Sequence, residues 1–171
     1  MRLFYAVFVP NEVANRLAEA QKGLVGRWKP VPPHQMHLTM LFLGDVPEER
    51  LGELEGIGRD VAMGVPAFTA RVKGTGHFPE AGNPRVWFAK VEGKGFEELA
   101  QGLKTALPDF ADAKPFKPHV TLARKKGPAP RVAPVVFDLE FPVRKLALVE
   151  SRLSPRGPSY EIVETFPLKG V

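Results

Sequence analysis

Residues 37–40 read HLTM and residues 119–122 read HVTL, so two of the chain's four histidines open the same pattern 82 positions apart. Each stretch is a histidine, an apolar residue, a threonine and a second apolar residue. Threonine supplies 6 of 171 residues and 44% are hydrophobic, so a given histidine opens this pattern with a chance of roughly 0.7%. Two of four doing so by accident is on the order of 3 in 10,000. Read as strands, these stretches sort their side chains by alternation. His37 and Thr39 share one face while Leu38, Met40 and Phe42 take the other. His119 and Thr121 likewise oppose Val120 and Leu122. Each strand offers an apolar face to a core and a His/Thr pair to the opposite side.

Outward from these stretches the chain repeats itself. The run RLFYAVFV at 2–9 reads as a buried strand and 12–23 as a helix with Val13, Leu17, Ala18 and Leu24 at helical spacing. The proline-bearing loop RWKPVPPHQ leads into a strand at 36–43. A helix follows at 47–62, with Leu51, Leu54 and Ile57 buried, then strands at 66–76 and 85–91 and a helix at 95–107. A second proline-bearing loop, PDFADAKPFKP, leads into the strand HVTLAR. Residues 134–167 read as two or three strands joined by turns such as SPRGPS.

LAEAQK at 17–22 matches LAQGLK at 99–104 at the 82-residue spacing, and RLFYA at 2–6 matches RVWFA at 85–89 after one indel. The pattern predicts one bilobal α+β domain over 1–171, formed by internal duplication. Each lobe is a mainly antiparallel sheet with helices on its outer face, and a cleft separates the lobes. The two His/Thr faces meet across that cleft.

Composition narrows the chemistry. There is no cysteine, which excludes disulfides, thiolate metal sites and cysteine nucleophiles. The net charge of +5 favours anionic partners. The N-terminal apolar run is too short to span a membrane and lacks a cleavage pattern, so a cytoplasmic protein without membrane attachment is expected. Neither a Gly-rich phosphate loop nor a G-x-S-x-G nor a dinucleotide fingerprint is present, so no cofactor is expected. Two histidines without a clustered carboxylate or third histidine are too few for a catalytic zinc, so no metal is expected either. His34 lies in a proline-rich loop, and His77, in GTGHFPE, sits in a turn-rich segment without an evident partner.

Two imidazoles on opposite sides of a phosphorus serve an in-line displacement, one taking a proton from the attacking oxygen and one giving a proton to the leaving oxygen. Two threonine hydroxyls hydrogen-bond the non-bridging oxygens. The competing structural reading is a duplicated strand that kept His and Thr because they pack well. Arg124 is a candidate phosphate contact, although strict alternation puts it on the apolar face with Val120 and Leu122. It reaches the cleft only if the strand ends or bulges there. Trp28 and Phe78 lie in loops that border the cleft on this reading, but an aromatic in such a loop is more often a packing anchor.

The paired His-x-Thr-x motifs, their flanks HLTMLFLG and FKPHVTLAR, and the closing LALVESRLSPRGPSYEIVETFPL resemble the 2H phosphoesterases. The resemblance is nearest to the bacterial and archaeal RNA 2′,3′-cyclic phosphodiesterases, earlier named 2′-5′ RNA ligases. It implies metal-independent hydrolysis of an RNA 2′,3′-cyclic phosphate end to a 2′-phosphate; separately, a monomer is expected. It also implies His37 as proton donor, His119 as proton acceptor, and Thr39 and Thr121 as phosphate holders. The 2′-5′ RNA ligase activity that the resemblance also implies is the same displacement with an RNA 5′-hydroxyl in place of water. Two rivals stay open: a cyclic phosphodiesterase for small nucleotides or an ADP-ribose derivative, and a non-catalytic RNA-end-binding module.

Overall fold

The opening run becomes β1 (Arg2–Phe8), with five of its seven residues buried. β1 is interior to its sheet, which is why it can be apolar on both faces. A computed structural model describes residues 1–171. The other strands are β2 (Trp28–Pro30), β3 (His37–Asp45), β4 (Phe68–Phe78), β5 (Val86–Glu92), β6 (His119–Lys125), β7 (Val136–Val143), β8 (Lys145–Ser154) and β9 (Gly157–Pro167). Three helices, α1 (Asn11–Ala20), α2 (Leu51–Met63) and α3 (Lys94–Ala106), complete an α+β fold. One sheet has the order β3-β1-β8-β9 and the other β2-β6-β5-β4-β7. Every ladder in both is antiparallel. No helix is long and apolar enough to cross a membrane.

The helices bury the stripes that their spacing dictates: Val13, Ala14 and Leu17 from α1, Leu54 and Ala62 from α2, and Phe96, Leu99 and Leu103 from α3. These join residues of both sheets in one core cluster of 35 buried residues. α1 is shorter than expected, and its last turn tightens into a 3-10 turn at Gln21–Gly23. Of the expected core residues on α2 only Leu54 is fully buried, with Leu51 and Ile57 at the margin. The α2 backbone sits directly on the Phe166 ring, where a Cβ on Gly58 would come within 2.5 Å of it. The Tyr5 hydroxyl donates to the Leu54 carbonyl at 2.5 Å, pinning β1 to the same helix.

The first proline-bearing loop contains a strand that periodicity cannot reveal. β2 is three residues long and lies at the sheet edge, where the missing N–H of Pro30 costs little. Gln21 holds this loop against the second sheet, its Nε2 donating at 2.8 Å to the carbonyls of Val31 and Leu122.

The two motif ladders have the same register residue for residue. Phe8, Ala6, Tyr5 and Phe4 face His37, Thr39, Leu41 and Phe42. At a constant offset of 82, Lys90, Phe88, Trp87 and Val86 face His119, Thr121, Ala123 and Arg124. No indel is needed, so the expected match of Arg2 with Arg85 is out by one position: Arg85 occupies the place of Leu3. Each ladder also skips the residue after its threonine, Met40 in β3 and Leu122 in β6. A bulge of one residue reverses the alternation beyond it. Phe42 therefore leaves the core face expected for it and stands 49% exposed. Arg124 moves by the same device onto the face of His119 and Thr121.

Candidate active site

His37 and His119 are the first residues of β3 and β6, each delivered by a proline-bearing loop. The loops fix the rings in the same way. His37 Nδ1 lies 2.7 Å from the Gln35 carbonyl, and His119 Nδ1 lies 2.6 Å from the Lys117 carbonyl. A carbonyl can only accept, so each Nδ1 carries the proton and each neutral ring has its lone pair on Nε2. Both rings are also held by aromatics. Tyr160 meets His37 edge-on at 5.3 Å between centroids, with Phe4 at 5.1 Å on another side. Phe78 and Phe88 meet His119 edge-on at 5.0 and 5.3 Å.

Burial dominates the electrostatics. It lowers the pKa of His37 and of His119 below the ordinary histidine value, since an apolar surround disfavours the imidazolium. The Nδ1 bond to a carbonyl opposes this at each ring, and the positive charge of Arg124 adds to the lowering at both. His119 also lowers His37, which puts the two imidazoles within electrostatic reach of each other. The free protein at neutral pH therefore carries two neutral imidazoles beside one guanidinium.

The cleft has two chambers. The larger, about 1090 Å³, is bordered by Thr39, Phe42, Phe78, His119, Thr121 and Arg124. The smaller, about 110 Å³, is bordered by His37, Thr121, Arg124 and Tyr160 among others. Thr121 and Arg124 border both, so the two motifs share one site, and every residue singled out from the motifs lies in it. Arg124 arrives by the bulge at Leu122, the condition that alternation set for it.

Other expectations change. Phe78 is not a loop residue but the last of β4, and it packs on His119 and stacks on Phe88 at 4.1 Å. Trp28 is a packing anchor, buried with its Nε1 donating to the Pro130 carbonyl at 2.9 Å. His77 lies in β4 and not in a turn, where its Nε2 accepts from the Val132 N–H at 3.2 Å. His34 is exposed in the 3-10 turn Pro33–Gln35. Sequence reasoning missed Tyr160 and Phe42 as site residues. Tyr160 lies 123 positions from the His37 ring it touches, and nothing near it in the chain marks it. Phe42 is visible only once the bulge is known. Nowhere do three or more His, Asp or Glu side chains cluster in a way that could hold a metal ion.

The family model described as the 2′-5′ RNA ligase superfamily matches residues 9–154. The chain belongs to this superfamily. A relative named RNA 2′,3′-cyclic phosphodiesterase, from Thermus thermophilus, is 52% identical over 99% of this chain and 91% of its own. Another of that name, from Archaeoglobus fulgidus, is 35% identical over 97% of this chain and 99% of its own. Among solved structures, one from Thermus thermophilus matches with a TM-score of 0.95 at 52% identity, covering 99% of both chains. Escherichia coli LigT, crystallised with 3′-AMP, matches with a TM-score of 0.84 at 25% identity, covering 98% of this chain and 97% of its own. Within the superfamily fold, the paired ladders bring the two His/Thr pairs to the cleft, and the bulges add Arg124 and Phe42 beside them.

Proposed function

We propose that this chain hydrolyses RNA 2′,3′-cyclic phosphate ends to 2′-phosphates by paired-histidine acid–base catalysis, without a metal. One observation carries the reading: each imidazole is held through Nδ1, which leaves Nε2 as its free nitrogen, and each ring borders the cleft. The names of the relatives, RNA 2′,3′-cyclic phosphodiesterase, favour the same substrate.

His119 is the acceptor. Its lowered pKa keeps Nε2 unprotonated, and it takes a proton from water as the water oxygen bonds to phosphorus. The bond from phosphorus to O3′ breaks on the opposite side, and His37 Nε2–H gives its proton to O3′. Thr39 and Thr121 hydroxyls and the Arg124 guanidinium hold the non-bridging oxygens, where charge builds up in the transition state. His37 needs a proton that the empty site disfavours. The substrate's negative charge favours the imidazolium, so binding of the phosphodiester charges the donor when it is needed. With an RNA 5′-hydroxyl in place of water as the nucleophile, the same displacement, again expelling O3′, forms a 2′-5′ bond.

The common offset and matched bulges of the two ladders support an origin of the bilobal chain by internal duplication. The test is incubation with a short RNA bearing a 2′,3′-cyclic end and, in parallel, with small cyclic nucleotides. The expected product carries a 2′-phosphate and a free 3′-hydroxyl, identified by mass and by the position of the phosphate. Binding without turnover would convert the reading to an RNA-end-binding module.

A further inference from the structure

The smaller chamber of the cleft has a composition that its part in the displacement does not require. Beyond His37, Thr121 and Arg124 it is walled by Lys29, Lys126 and Tyr160, and no carboxylate borders it. Lys29 stands opposite Arg124 in the β2–β6 ladder, so the two side chains leave the sheet on one face. Lys126 follows on that face by alternation, whereas Lys125 points away, its Nζ bonded to Asn83 Oδ1 at 2.8 Å. None of Lys29, Arg124 and Lys126 is in a salt bridge. Lys29 Nζ has only the Arg156 carbonyl, at 3.1 Å, which leaves it further donor capacity. Three cations without an ion-pair partner thus border one small, solvent-open chamber next to the reacting phosphate.

Size assigns the two chambers. At about 110 Å³ the smaller one is well below the ~300–1,000 Å³ of ordinary ligand pockets and suits a compact anion. The larger, about 1090 Å³ with Phe42 and Phe78 in its wall, has the room and the aromatic faces for a nucleoside.

We propose that the smaller chamber is a second anion subsite, which takes the phosphate on the 5′ side of the terminal nucleotide while the cyclic phosphate lies between the histidines. This rests on the cyclic phosphodiesterase reading above and extends it to substrate choice. The enzyme senses a second phosphate next to the reacting one and prefers a 5′-phosphorylated or chain-terminal nucleotide to a bare nucleoside cyclic phosphate. A 5′-monophosphate and an internucleotide diester offer the same anionic oxygens, and the assay separates them.

Three substrates decide it at one fixed ionic strength: a nucleoside 2′,3′-cyclic phosphate, the same compound with a 5′-phosphate, and a dinucleotide ending in it. The wild type is expected to favour at least one of the last two by about tenfold or more in kcat/KM, as charge-assisted contacts allow. Preference for both identifies the ligand as the RNA chain, and preference for the 5′-phosphate alone identifies a terminal phosphate. In a Lys29→Met, Lys126→Met double variant, which keeps much of the apolar stems, the preference falls to within about twofold of 1. Because the readout is a ratio within one protein, a general loss of folded enzyme does not move it. Turnover of all three with equal kcat/KM in the wild type, or a double variant that keeps the preference, overturns the subsite alone. No turnover of any of the three overturns the phosphodiesterase reading beneath it.

Discussion

Arg124→Met separates two things the guanidinium does at once, and each has its own readout. In the proposed mechanism the arginine is a donor to the phosphate, and its charge lowers the pKa of His37 and His119. A hydrogen bond to a charged group contributes roughly 1.5–3 kcal/mol. The side chain is open to solvent, so the lower half of that range applies, about a 10- to 40-fold loss in kcat/KM. The second effect is on pH. With the cation gone, the imidazolium form of each ring is less disfavoured, both pKa values rise, and both limbs of the kcat/KM profile move to higher pH. Arg124→Lys keeps a positive charge but loses the planar fork. It should lose rate while its profile stays near that of the wild type. Initial rates on a 2′,3′-cyclic phosphate substrate across about pH 4–9, for all three proteins, give both quantities. A methionine variant with less than twofold loss and an unmoved profile would refute the placement of Arg124 in the site. A lysine variant displaced as far as methionine would show that geometry, not charge, sets the histidines.

Three further outcomes follow from the same site and one from the core. In the wild type, kcat/KM reports the free enzyme, so its bell should peak on the acid side of pH ~6.5, because burial lowers both histidines. The kcat profile should lie at higher pH, since bound phosphate raises both; coincident profiles would contradict this. His119→Ala should remove the rising limb and His37→Ala the falling one, each with a rate loss of about 10²–10⁴-fold, and full activity in either would end the paired mechanism. Activity should survive exhaustive treatment with EDTA, because the two imidazoles carry both proton transfers; loss restored by a divalent ion would contradict it. Tyr5→Phe removes the hydroxyl's bond to the Leu54 carbonyl, which keeps its helical N–H partner, and should cost about 0.5–1.5 kcal/mol in urea unfolding, with kcat/KM on the folded protein retained.

Much of this protein is local and therefore readable in one dimension. The buried run of β1, the apolar stripes of the helices and the His/Thr alternation of β3 and β6 are set by periodicity, which needs no knowledge of partners. The paired motifs and their 82-residue spacing singled out His37, Thr39, His119 and Thr121. The order of bonds around each histidine was out of reach, because Nδ1 meets a carbonyl only once the loop before it has turned. The bulges at Met40 and Leu122 belong to pairs of strands and not to either strand. Alternation within one strand consequently put Phe42 on the wrong face and left Arg124 undecided. Tyr160 comes to the cleft from 123 positions beyond His37, and Lys29 comes to it by pairing with Arg124 across the sheet, so their roles depend on how strands and loops pack. Residue type and period are enough to show which groups can carry protons. Their tautomers, their lowered pKa values and the cations around them arise only on folding, because each depends on burial and on neighbours that the folded chain brings together.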